Sequence, residues 1–319
     1  MPRREGSPWQ GLGTVFLKEV SDNFTSARMR VLEWLVILTA CAALYAALQD
    51  IRATTAEDPF LFLRLFTKSR DPLPSFVSLL GFLVPLISIG LGFDAVNGEQ
   101  SRRTLSRILS HPIYRDALLL GKFLAGLATL SVSLIALFLL VIGLGLLLLG
   151  VPPSTEELLR GLMFLFVTIA YAGVWLALSM LLSTVFKSAA TAALVGLGIW
   201  LFLALLWPAL APAVAATFAP PDPRYQMLGL QTPATLLLQT TLSRLSPSTL
   251  YGEAGVAMLN PDAQSMTTLL AQFQGRVAAP LPLDQSIMQA WPQIVSLIAG
   301  TILLYVIGYV AFQRQEVRA

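Results

Sequence analysis

The chain has 319 residues, of which 55% are hydrophobic and 12% charged, with mean hydropathy +0.71 and a formal net charge of +3. Soluble domains carry roughly a quarter charged residues, and here the apolar residues fall in runs too long for soluble core helices, so a soluble globular fold is excluded. Backbone groups in hydrocarbon must bond within their own segment and no alternating barrel pattern is present, which leaves an all-α polytopic membrane protein.

Residues 1–30 open with Arg3 and Arg4, then Gly6-Ser7-Pro8, and carry no cleavable signal pattern. From Trp9 to Met29, the residues Trp9, Leu12, Phe16, Val20 and Phe24 recur at intervals of three and four, with Lys18, Glu19 and Asp22 between them. That spacing predicts an amphipathic helix suited to the membrane interface.

Six apolar runs follow, at Val31–Gln49, Pro74–Phe93, Ala117–Gly150, Leu158–Val185, Ser188–Pro212 and Pro292–Phe312. Each meets or nearly meets the roughly 20 residues a spanning helix needs. The third, 34 residues long, should tilt or project, since at 1.5 Å per residue it measures about 51 Å. The single Cys41 lies inside the first run as a small buried hydrophobe.

Six spans put both termini on one side, together with the loops at 94–116 and 186–188. That side holds thirteen of the 21 basic residues, from Arg3 and Arg4 through Arg102, Arg103, Arg107 and Arg115 to Arg314 and Arg318. Basic residues mark the cytoplasmic side, so both termini are expected there, in the plasma or inner membrane. The domain reading is then residues 1–30 as a connecting helix, 31–212 as five spans, 213–291 as an extracytoplasmic segment, and 292–319 as the sixth span and a short tail.

Catalytic and nucleotide-binding patterns are missing from the sequence. There is no G-x-x-x-x-G-K-[ST], no H-E-x-x-H and no Cys/His cluster, so no nucleotide cradle, catalytic residue or metal site is expected in the chain itself. The last four runs hold no charged residue except Lys122 and Arg160 near their ends, and Glu33 and Asp94 sit at span edges. A self-powered secondary transporter needs ionisable groups inside its spans, so that class is disfavoured.

The polar stretch between the second and third runs, "GFDAVNGEQSRRTLSRILSHPIYRDALLLGKFLAGL", holds the only histidine. Asn97 with Gln100 three residues on predicts a helix start, and Pro112 ends that helix; Asp116 is placed to cap the next span. Leu105, Ile108 and Leu109 share one narrow apolar face, with Arg102, Arg103 and Arg107 around the rest. A short bounded helix at 97–111 of this kind suits docking into a partner's groove; it equally suits a solvated connector whose arginines enforce topology.

The same stretch resembles the cytoplasmic loop of ABC-2 type transporter permeases, whose pattern runs roughly G-E-x-x-x-G-T-L-x-x-L-L-S-x-P-x-x-R followed by G-K. Gly98, Glu99, Thr104, Leu105, Leu109, Ser110, Pro112, Arg115, Gly121 and Lys122 match it, while Arg103 replaces the usual glycine. Within the family the nearest resemblance is to the permease of the nitrous-oxide-reductase maturation transporter and its relatives. The likeness implies a dimer of permease chains, probed through Ala189, Ala193 and Gly196 on the fifth span, above two separate ATPase subunits. ATP and Mg would be bound by those subunits. A coupling helix at 97–111 would dock on the ATPase through Gly98, Glu99, Arg102, Arg103, Thr104, Leu105, Ile108, Leu109, Pro112 and Arg115. Export of an unidentified cargo is one implied function. The other is transmission of ATPase work to an extracytoplasmic protein, with membrane lipid as surroundings and no nucleic acid involved.

The segment 213–291 is punctuated by "APPDPRYQ", "LNPD" and "APLPLDQ", which mark turns. Between them Met227–Leu245 and Leu250–Leu259 are predicted as short helices, forming a structural cap over the outer mouth or a binding surface there.

Overall fold

The computed structural model describes residues 11–53, 60–69, 74–101, 114–150, 152–219, 232–260 and 281–314, which are helical with no strand among them. Six of the helical stretches are long and apolar enough to cross a membrane: Ala27–Gln49, Phe76–Ser101, Arg115–Leu149, Thr155–Val185, Ala189–Phe218 and Leu283–Arg314. They coincide with the six runs read from the sequence.

Of the predicted helix from Trp9 to Met29, residues 9–10 lie outside the described residues and the rest is two helices. Helix α1 (Leu12–Thr25) stops where Ser26 turns extended, with φ −66° and ψ 135°, and α2 (Ala27–Ala53) starts there. Ser26 serves both: its hydroxyl donates to Asn23 O at 2.9 Å and accepts from Met29 N at 3.1 Å. Serine competes with the backbone for such bonds, so a helix interior is the wrong place for it and a helix junction the right one.

The short helix α3 (Leu61–Thr67) precedes α4 (Phe76–Gly92), which contains Pro85. A proline has no N–H to give the carbonyl four residues earlier. That carbonyl is Gly81 O, and the hydroxyl of Tyr171 donates to it at 3.0 Å. After α5 (Asn97–Ser101) comes the longest helix, α6 (Arg115–Leu149), with 35 residues, closed by Gly150 at φ 72°. At 1.5 Å per residue it is about 52 Å long, more than a bilayer requires. The surplus lies alongside α1: a Cβ on Gly121 would sit 2.9 Å from Val15 Cγ1, and Asn23 Nδ2 donates to Thr129 Oγ1 at 3.2 Å.

Helix α7 (Thr155–Val185) is the most buried of the spans and opens on a reciprocal capping box between Ser154 and Glu157. The fifth span is α8 (Ala189–Leu201), a π-helical turn at Phe202–Leu206, and α9 (Trp207–Phe218). The π turn has an identifiable cause. Trp207 N–H bonds to Phe202 O, and Pro208 has no N–H, so neither can serve the carbonyl of Leu203. Ser246 supplies the bond instead, its hydroxyl donating to Leu203 O at 2.7 Å.

Helices α10 (Pro233–Ser243) and α11 (Pro247–Leu259) follow, shorter than or offset from their predicted bounds, and α12 (Leu283–Arg314) completes the bundle. Residues 227–231 of the first predicted outer helix lie outside the described residues. Helix α11 packs into the bundle: Tyr251 and Met258 are buried, and the Tyr251 ring stacks on Tyr171 with centroids 4.6 Å apart. Stacked aromatic pairs add about 0.5–1.5 kcal/mol beyond their area.

Candidate functional site

Where α1, α5 and α6 meet, one lysine is surrounded by carboxylates. Lys122 Nζ lies 2.9 Å from Glu19 Oε1 of α1 and 2.7 Å from Glu99 Oε1 of α5, with its own side chain only 5% exposed. Lys18 bridges Glu19 and Asp22, each at 2.9 Å. On the adjoining wall Arg28 of α2 meets Asp94 at 3.0 Å, and its guanidinium lies over the Phe93 ring. Together these residues line a cleft of about 670 Å³ that also reaches Gly98, Gly126 and Met180.

Electrostatics hold the carboxylate on. Burial alone would raise the pKa of Glu19, but the Lys122 charge and hydrogen bonds from Lys18 and Lys122 outweigh it, so it titrates below its ordinary value. Burial alone would lower Lys18; the bonds to Glu19 and Asp22 overcome that and raise it. A lysine this buried is tolerable only because it is paired twice.

The start of α5 is fixed from a second direction. Ser183 Oγ, near the end of α7, accepts from Val96 N at 3.0 Å and from Asn97 N at 3.2 Å. The Asn97 amide donates to Phe186 O at 3.2 Å, the carbonyl just beyond α7. The expected cap is therefore corrected: Asn97 does not cap its own helix; a serine from another span does so. Asp116 likewise does not cap α6, whose N-cap position is Tyr114. From the first turn it accepts bonds from Tyr309 Oη at 3.1 Å and from Gln313 Nε2, tying down the end of α12.

Of the residues predicted for docking, Glu99 is in this joint, Gly98 lines its cleft and Arg115 begins α6. Arg102, Arg103, Thr104, Leu105, Ile108, Leu109 and Pro112 lie outside the described residues. Ala189 and Ala193 are half-buried on α8, and Gly196 packs inward, where a Cβ would meet Ile89 and Leu182 at 3.4 Å. Sequence reasoning passed over Glu19 and Ser183. Lys122 was visible as a charge near a span end and in the Gly-Lys pair of the family pattern, with nothing in its spacing to name Glu99 or Glu19, the latter 103 residues away, as partners. Among the described residues no group of three or more His, Cys, Asp or Glu side chains is arranged for a metal.

At the other end of α7 a second buried cation gathers α11 and the start of α12. Arg160, fully buried, bonds Glu156 Oε1 at 2.8 and 3.0 Å, Ser286 Oγ at 3.0 Å, Met258 O at 3.3 Å and Leu281 O. Glu157 beside it accepts from Phe62 N at 2.8 Å, so α3 is anchored at the same place.

Comparison with known proteins places these features. Residues 14–317 match a family described as ABC-2 family transporter protein. The chain is 36% identical over 148 residues to the probable ABC transporter permease protein NosY of Pseudomonas aeruginosa, covering 44% of this chain and 52% of that protein. It is 30% identical over 148 residues to the protein of the same name in Stutzerimonas stutzeri, covering 44% and 51%. The chain thus matches about half the length of these curated relatives.

Proposed function

Because the chain belongs to the ABC-2 family of transporter proteins, we propose that it is the permease subunit of an ATP-driven exporter. ATP hydrolysis takes place in a separate ATPase, which docks on the helix at 97–111. The observation that carries this reading is the Lys122 joint. A helix pushed by a partner moves the membrane only if its root is fastened to the spans. Here that root is held by Glu99 to α6, by Ser183 and Phe186 to α7, and through Lys122 and Glu19 to α1. Two permease chains pair through the α8 side, and both chain ends face the cytoplasm, a reading supported by the excess of basic residues on that side.

The decisive experiment replaces Leu105 and Leu109 with Asp, which puts charge into the proposed apolar contact and leaves the spans alone. The mutant permease should reach the membrane normally yet fail to retain the ATPase in a pull-down, and coupled ATP hydrolysis should be lost. Full recovery of the ATPase with normal activity would remove the docking assignment.

A second reading is favoured by α7, which bonds α5 at one end and the outer segment at the other through Arg160. In that reading ATPase work passes to an extracytoplasmic protein rather than to a transported molecule. Purification of the assembled complex separates the two: exporter function requires permease and ATPase alone, whereas the second reading requires a further outer protein.

A further inference from the structure

Glu33 belongs to neither buried cluster. It stands six residues inside α2, about 9 Å from the start of that helix. Ser133 Oγ of α6 donates to its Oε1 at 3.0 Å. Among the described residues Glu33 takes part in no ion pair, and one hydroxyl does not neutralise a carboxylate. An ionisable group inside a span without a counter-charge is a functional feature until shown otherwise.

The carboxylate lines a groove of about 260 Å³ between α2, α4 and α6. Among the described residues Glu33 and Ser133 are its only polar side chains; Val36, Val84, Leu130, Leu137 and Leu140 are among the rest. Val132, 53% exposed, stands at its rim, so the groove opens sideways onto a surface that the apolar spans place in the bilayer. Along α6 it extends from Leu130 to Leu140, about 15 Å. The first and third spans run in the same direction, so beyond Glu33 and Ser133 the groove continues deeper along Val36, Ile37, Leu137 and Leu140, while Phe24 of α1, Met29 and Leu130 line its shallow end. Its volume is below the roughly 300–1,000 Å³ of drug-sized sites, which suits one chain rather than a fused-ring compound or a two-chain lipid.

We infer that this groove is a binding site for a single-chain cationic amphiphile entering from the membrane, its ammonium head on Glu33 and its alkyl chain between α2, α4 and α6. Charge complementarity chooses the head, and the narrow apolar walls choose the chain. The site does not depend on where the ATPase docks.

The test uses the full chain in phosphatidylcholine nanodiscs with a dodecylamine carrying a photoreactive diazirine in its tail. Adducts mapped by mass spectrometry should concentrate on Val36–Ile37 and Leu134–Leu140, and dodecyltrimethylammonium should compete them away while dodecyl sulfate does not. Glu33→Gln keeps the shape and the Ser133 bond, and should weaken binding about tenfold or more, the scale of one lost charge contact. Val132→Trp, at the rim, should block labelling with the carboxylate intact. Even labelling of every lipid-facing span, equal competition by dodecyl sulfate, or unchanged affinity in Glu33→Gln would each overturn the assignment.

Discussion

Lys122 and Glu99 approach to 2.7 Å across the junction of α6 and α5, and the same ammonium holds Glu19 of α1 at 2.9 Å. Three helices, the first of them 103 residues from Lys122 in sequence, are therefore fastened at one atom. Lys122→Met should leave two carboxylates facing each other in a half-buried space. Removing one member of a buried pair costs about 3–5 kcal/mol. Thermal melting of the purified protein should reveal the loss, and adding Glu19→Gln and Glu99→Gln to the same chain should restore most of it.

The pH dependence of this joint follows from Glu19. Its pKa is lower in the folded protein than its ordinary 4.5. The stabilisation is therefore fully present above that value and is lost as pH falls through the folded pKa. A melting series should be flat from pH 8 to 6 for this contribution and decline only below about 4.5. Glu19→Gln should abolish that acid-side component; a decline already complete at pH 6 would contradict the assignment.

Close packing beneath the joint is a separate requirement. A Cβ on Gly121 would lie 2.9 Å from Val15 Cγ1 and 3.1 Å from Val15 Cβ. Valine is stiff at χ1 and cannot swing aside, so Gly121→Ala should displace α1 and cost about 1–3 kcal/mol. Val15→Ala in the same chain should recover stability, which disulfide trapping between α1 and α6 would follow directly.

Arg160 makes its own prediction at the far end of α7. Arg160→Met empties four bonding positions, at Glu156, Ser286, Met258 and Leu281. The outer segment should become sensitive to added protease while the spans remain protected. Glu156→Gln keeps an acceptor for Arg160 but leaves a fully buried guanidinium without that carboxylate, so it should destabilise by more than the roughly 1 kcal/mol of a surface pair.

Ser246→Ala should leave the Leu203 carbonyl without its donor, at about 1–3 kcal/mol. Ser246→Thr, which keeps the hydroxyl, should restore stability if the residue fits. Equal melting temperatures for wild type and Ser246→Ala would show that the π turn stands without this bond.

The spans were legible because twenty apolar residues in a row leave few alternatives, and the six runs reappear with ends shifted by up to nine residues, the start of the sixth having moved from Pro292 to Leu283. The shifts have local causes. Ser26 splits the first amphipathic stretch, and the Ser154–Glu157 box starts α7 before its apolar run begins. What periodicity could not supply was partnership. Asn97 carries the sequence signature of a helix cap, yet Ser183 takes that role because the end of α7 arrives at the same spot. Tyr171 and Ser246 read as ordinary residues until the carbonyls near Pro85 and Pro208 show which bonds they supply. Long-range polar contacts of this kind have no local period, so a single sequence carries no trace of them.

Helix α7 holds α5 at one end and α11 with the start of α12 at the other, across 31 residues without a proline. Such a rod is a lever about 46 Å long, and a tilt of about 10° around its middle would carry each end about 4 Å in opposite directions. The ratio of the two displacements is set by where the fulcrum lies along the rod, and Tyr171, buried and stacked on Tyr251, falls just past its midpoint. In the proposed coupling, a pivot at this buried aromatic pair would give the two ends of α7 nearly equal travel.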